Sequence, residues 1–203
     1  MKLYDNPYAP NPRRVRVFLA EKNIEVPRVS VDLLKGEQRN PQFTALNPRQ
    51  AVPVLELDDG TVIAESIAIC RYFEELEPEP PLFGTSTLER AQVEMWQRRI
   101  ELGLFAPIGQ FFRHSHPLMA SVEVPQIAVW AETNRARALK FLPTIEQQLA
   151  DRPFICGESF TIADITGLVA LDFMKFAGIP LPDDCAHVRR WHAKLAARPS
   201  AAA

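Results

Sequence analysis

The segment Arg49-Gln50-Ala51-Val52-Pro53-Val54-Leu55 decides how the first third of the chain folds. Val54 and Leu55 begin an apolar strand, and Pro53 stands at its mouth, where it lacks the N–H that a ladder would use. A cis Val52–Pro53 bond turns the chain sharply there and presents the Val52 N–H and C=O outward as a backbone clamp for an extended peptide. A trans proline opening an edge strand is the other reading. Downstream, Pro53 to Leu57 and Thr61 to Ala64 are short apolar runs joined by Asp58-Asp59-Gly60, a hairpin signal, and a helix is expected from Ser66 to about Leu76.

Upstream, Lys2 to Tyr4 reads as a strand, Arg13 to Lys22 as a helix and Val29 to Leu33 as a second strand. After a passage marked by Asn40-Pro41 and Asn47-Pro48, the order is βαβ followed by ββα, a small α/β domain with a mixed sheet. Glu77-Pro78-Glu79-Pro80-Pro81 forbids helix and acts as a semi-rigid spacer. Beyond Thr87 helical spacing takes over, with one stripe through Leu88, Ala91, Met95, Trp96, Ile100 and Leu104 and another from Ile127 to Leu149. The expected organisation is an α/β domain over 1–77, a linker over 78–85 and an all-helical bundle over 86–203.

The 203 residues are 47% hydrophobic, enough for a core, and the net charge of −2 lacks the basic excess that phosphate backbones demand. Nucleic acid is therefore not an expected partner. Cys70, Cys156 and Cys185 are three in number, far apart and without a CxxC pair, which fits neither a disulfide framework nor a zinc site and points to a reducing compartment. Met1-Lys2-Leu3-Tyr4 opens without a signal-length apolar run, and no stretch approaches a bilayer span, so the expected location is cytoplasmic with no membrane partner. His114 and His116, at i and i+2, point apart on a helix and are not read as a metal site.

Two helix starts carry polar signals. Glu65-Ser66 lies between a strand and a helix, so Ser66 is a natural N-cap whose helix end attracts a carboxylate, while Glu65 can hold an ammonium; a plain cap is the alternative. Thr161-Ile162-Ala163-Asp164 is a capping box with Phe160 stapling onto Ile165 and Gly157 permitting a close approach, a structural role.

Taken in order, Val52-Pro53, Glu65-Ser66 and Gly157 with Thr161-Ile162-Ala163-Asp164 resemble the cytosolic glutathione transferase family along nearly the whole chain. The resemblance implies a thioredoxin-like domain holding glutathione as co-substrate, with no metal. It also implies a helical domain lining the site for a small hydrophobic electrophile, and a homodimer. Val52, Pro53, Glu65 and Ser66 would hold the tripeptide. Ala51 replaces a residue that commonly meets the glycyl carboxylate, so Gln50, Gln38, Lys35 or Arg39 would substitute. Ala9, Trp96, Phe105 and Phe112 would line the electrophile pocket, with a purely structural role open for the aromatics.

The family's thiol-activating residue lies just after the first strand. Ser-using classes place it where this chain has Ala9, and Tyr-using classes near Tyr4 and Asp5. Ala9-Pro10-Asn11 is similar to bacterial-type nu-class members, in which the Asn lies near the glutathione sulfur. That makes Asn11 the first candidate and Tyr8, a phenolic donor, the second. Asn11 would also suit the N-cap of a helix beginning at Pro12. The implied activity is glutathione conjugation, with glutathione-disulfide reduction or peroxidase chemistry as a close alternative and a non-catalytic binding or regulatory protein as a rival of another class.

Overall fold

The computed structural model describes residues 1–203, which divide into two units, Met1–Leu82 with Pro199–Ala203, and Phe83–Arg198. In the first, β1 (Lys2–Asp5), α1 (Pro10–Glu21), β2 (Arg28–Ser30), α2 (Pro41–Leu46), β3 (Val54–Glu56), β4 (Val62–Ala64) and α3 (Ser66–Leu76) follow one another. The sheet order is β2-β1-β3-β4, with β1 parallel to β2 and antiparallel to β3, and β3 antiparallel to β4. Leu3 and Leu55 sit opposite each other in the middle strands, fully buried. This is the mixed sheet that the element order predicts, with the thioredoxin-like arrangement that the family resemblance implies. The second strand is shorter than expected, ending at Ser30 rather than Leu33.

The tail was expected with the helices but belongs to the first unit, because the Arg13 guanidinium donates to the Ala201 carbonyl at 3.0 Å and the Ser200 hydroxyl donates to Glu21. The proline-rich stretch, read as a semi-rigid spacer, is tethered to the first unit. The Lys22 ammonium, wholly buried, pairs with Glu74 at 2.7 Å and donates to the carbonyls of Glu77 at 2.6 Å and Pro80 at 2.9 Å. One side chain thus ties the end of α1 to the chain leaving α3.

The second unit is helical: α4 (Thr87–Ile100), a π-helical turn (Glu101–Phe105), α5 (Ala106–Ser115), α6 (Ala128–Gln148), α7 (Ile162–Phe176) and α8 (Ala186–Ala196). No helix is long and apolar enough to cross a membrane. On α4 the expected core stripe is partly displaced: Val93, Trp96, Gln97 and Ile100 are buried, whereas Leu88, Ala91 and Met95 face solvent. An apolar face without a partner in its own chain has the same spacing as a core face, so periodicity alone merges the two.

α7 is apolar on all sides and is buried from Ile162 to Leu171. Its start is the expected capping box: Asp164, fully buried, accepts from the Thr161 N–H and hydroxyl at 2.9 Å each, from the Ile155 N–H at 2.9 Å and from the Trp191 indole at 2.9 Å. Burial pushes the Asp164 carboxyl above its ordinary range, opposed by these donors. Phe160 meets Phe154 edge-on at 5.8 Å, with the Arg198 guanidinium over its face. Gly157 serves conformation rather than space, since its φ is 121° and an added Cβ would meet nothing. The close approach belongs to Gly167, where a Cβ would lie 2.1 Å from the Trp191 ring.

Replacing Asp164 by Ala removes the acceptor of four donors, at about 1–3 kcal/mol for each one left stranded. The loss of about 3 kcal/mol or more corresponds to a Tm lower by roughly 10 °C. Gly167→Ala, an overpacking change, costs about 1–3 kcal/mol. Thermal melting followed by circular dichroism checks both, and an unchanged Tm for Asp164→Ala contradicts its bracing role.

Candidate active site

Asp5 closes β1, and its carboxylate pairs with the Arg16 guanidinium at 2.6 Å, both side chains buried. Arg16 also donates to the carbonyls of Asn6 at 3.1 Å and Pro7 at 2.9 Å, so α1 is pinned to the turn that precedes it. The Asn6 side chain donates to the Val31 carbonyl at 2.9 Å and accepts from the Tyr8 N–H at 3.0 Å, fixing the turn from the β2 side.

That turn delivers the chain to α1 one helical turn earlier than the sequence suggests. The helix begins at Pro10, with Ala9 in the N-cap position and no side-chain cap. A proline with φ already near the helical value suits the first position, so Pro10 starts the helix that Pro12 was expected to start. Asn11 is accordingly the second helical residue, not the N-cap. Pro10 and Pro12 have no N–H, and the Arg13 N–H reaches the Ala9 carbonyl at 3.3 Å. The Asn11 N–H is then the unpaired main-chain donor of this first turn. The Asn11 side-chain oxygen accepts from the Arg14 guanidinium at 2.5 Å. The Tyr8 ring is 93% exposed, and no hydrogen bond orients its hydroxyl.

The Val52–Pro53 bond is cis, as the strand-mouth argument predicts. The Val52 side chain packs with Val31, Phe43 and Val54, and Ala9, just before α1, packs against the same cluster. Neither the N–H nor the C=O of Val52 has a hydrogen-bond partner in the chain. The loop before it is held by the Asn47 side chain, which donates to the Ala51 carbonyl at 2.8 Å. Gln50 has a φ of 53° and donates its amide to the Thr44 hydroxyl at 3.2 Å.

At α3 the expected cap moves by one residue. Glu65, with a φ of 70°, occupies the N-cap position, and Ser66 is the first helical residue, buried at the helix end. The Glu65 carboxylate lies 3.5 Å from the exposed Arg49 guanidinium. Gln38 is buried in the short 3₁₀ turn Glu37–Arg39, and its side-chain oxygen has no partner. Lys35 is exposed and pairs with Asp32 at 3.2 Å. Hydrogen bonds from Lys35, with help from the Leu34 N–H, hold the Asp32 carboxyl below its usual range.

Within the helical unit the candidate apolar residues fall in two places. Phe105 and Phe112 join Phe173, at 6.2 and 5.3 Å between ring centres, and Phe112 also meets Phe176 and the His116 ring. Trp96 is elsewhere, under the Arg99 guanidinium, lining a recess of about 590 Å³ with Thr144, Gln148 and Arg152.

Comparison with known proteins decides the family. Residues 8–76 match the N-terminal domain and 128–194 the C-terminal domain of glutathione S-transferase. Glutathione S-transferase 2 of Saccharomyces cerevisiae is 40% identical over 98% of this chain and 87% of its own length. The crystal structure of Gtt2 from the same yeast superposes with a TM-score of 0.94 at 40% identity, covering 98% of each chain. A maleylacetoacetate isomerase of Pseudomonas aeruginosa is 30% identical over 98% of this chain and 90% of its own length.

The chain belongs to the glutathione S-transferase family of enzymes. In this family member all three cysteine thiols are raised above their ordinary range. Burial pushes the Cys70 thiol up, and burial with the nearby Asp164 charge pushes Cys156 up to about 12. Cys185 is also raised, by burial first and then by Asp184 and Glu146. No three His, Cys, Asp or Glu side chains gather where they could hold a metal.

Several structural features of this transferase are not visible in sequence. Arg14 and Arg16 read as ordinary helix charges, yet both are buried beneath the turn. Phe173 and Phe176 sit on α7, whose continuous apolar run gives no face to single out. The short spacing from Asn11 to Arg14, one helical turn on the same side, is the signal that reveals the first of these.

Proposed function

We propose that the chain conjugates the thiolate of glutathione to a small hydrophobic electrophile in the cytoplasm. The observation that carries this reading is a pair of unspent donors at a helix N-terminus, the main-chain N–H and the side-chain amide of Asn11. The Val52 N–H and C=O would pair with the cysteinyl main chain of the tripeptide. Ser66 and Glu65, at the tip of α3, would meet its amino acid end. Gln50, Gln38 and Lys35 are the polar groups offered to the glycyl carboxylate, and the unpartnered oxygen of Gln38 suits an N–H of the ligand rather than its charge.

A thiol of ordinary pKa, about 8.5, needs about 2 kcal/mol of help to ionise substantially near neutrality. A helix N-terminus supplies about 0.3–1 kcal/mol and a hydrogen bond to a charged acceptor about 1.5–3 kcal/mol. Asn11 combines both, so its amide stabilises the thiolate and its helix end adds to the effect. Tyr8, fully accessible, remains a donor only for what reaches the mouth of the turn. The aromatic cluster around Phe105 and Phe112 offers apolar surface to the electrophile. The chemistry then belongs to the bound peptide, held near its target.

Reduced glutathione should bind with measurable heat in calorimetry. Asn11→Ala should lower kcat/KM for a halonitroarene at neutral pH by about tenfold or more and move the acid limb of the pH–rate profile up by about 1–2 units, the worth of one charged hydrogen bond. An unmoved limb contradicts the role given to Asn11, and retention on immobilised glutathione with no turnover of any halonitroarene, hydroperoxide or mixed disulfide favours a binding protein instead.

We further propose a homodimer that covers the exposed side of α4. Leu88, Met95 and Leu102 recur every seven residues and are 67%, 39% and 67% exposed, a stripe wide enough to seek a partner. Leu88→Glu with Met95→Glu should halve the mass measured by sedimentation at micromolar concentration, and an unchanged dimer mass places the interface elsewhere.

A further inference from the structure

We infer that Arg14 is a positioning residue that sets the direction of the Asn11 amide, turning its NH₂ group toward the glutathione sulfur. This rests on the proposed role of Asn11 as the thiolate's donor. Arg14 is 4% exposed, on the same side of α1 as Asn11 and one turn farther along, and its terminal nitrogen donates to the Asn11 side-chain oxygen at 2.5 Å. A guanidinium carries donors only, so the end of the amide that faces it must be the oxygen. The NH₂ end is then directed away from Arg14, and it donates to no atom of the chain.

An unconstrained amide can rotate by half a turn at little cost and exchange oxygen for nitrogen. With the oxygen outward it would face a thiolate with partial negative charge and raise the thiol pKa instead of lowering it. The buried guanidinium removes that choice. It also polarises the amide, since a charged donor on the oxygen makes the N–H a stronger donor at the other end. Arg14 is itself held in place by burial between α1 and α3, where its charge acts on the Cys70 thiol.

The test is the ultraviolet absorbance of bound thiolate, titrated with saturating reduced glutathione in the parent, Arg14→Met, Arg14→Lys, Asn11→Ala and the double variant Arg14→Met with Asn11→Ala. The parent curve should lie about 1 unit or more below that of the free thiol. Arg14→Met should bring it back by about 1 unit, with KM for glutathione changed by less than about threefold because the Val52 clamp is untouched, and Arg14→Lys should recover part of the shift. In the Asn11→Ala background Arg14→Met should add nothing, since Arg14 acts through the amide. A parent curve matching free glutathione overturns the role of Asn11 and this inference with it. A depressed parent curve that Arg14→Met leaves in place, or an additive double variant, overturns the inference alone. Should Arg14→Met fail to fold, Asn11→Asp keeps a partner for Arg14 and presents an acceptor outward; its curve should lie above that of Asn11→Ala, and a curve at or below the parent's overturns the inference.

Discussion

A guanidinium and a carboxylate held out of water fix the geometry of the first unit. Arg16 and Asp5 lose hydration, and the loss is offset because Arg16 donates to two turn carbonyls besides its carboxylate partner. The turn between β1 and α1 therefore has one shape. From it follow the packing of Ala9 on the cluster of Val31, Phe43, Val52 and Val54, the start of α1 at Pro10 and the position of Asn11 at the head of the helix.

The two prolines around Asn11 act by subtraction. They remove the donors that would otherwise surround it, so the first turn presents one main-chain N–H and one side-chain amide, both of Asn11. The Arg14 contact then distinguishes the two ends of that amide. Burial raises the cysteine thiols, and the proposed site would stabilise an anion brought by a ligand rather than one generated on the protein.

Much of the frame was legible in the residues. A proline at the mouth of an apolar strand points to the bend at Val52-Pro53, with a trans edge-strand proline as the alternative that the structure does not show, and the 161–164 box announces α7 by its spacing. The start of α1 is less legible because Pro10 and Pro12 both carry the fixed φ that favours a first helical position, and the earlier of the two opens the helix. The cap at α3 was placed one residue late for want of a reason to expect a positive φ at Glu65. On α4 the sequence holds two faces of similar apolarity, and the buried one includes Gln97, a polar residue that periodicity would send outward. The pairing of Asp5 with Arg16 joins residues eleven apart and becomes visible only when the turn between them is known.

The central claim is that this scaffold binds glutathione as a thiolate. Its most direct measurement is the proton count on binding, from calorimetry at neutral pH in buffers of different ionisation heat, for reduced glutathione and for its S-methyl derivative. The account predicts release of most of one proton with reduced glutathione and none with the methylated peptide. Equal proton release by the two ligands, or none by either, would contradict it.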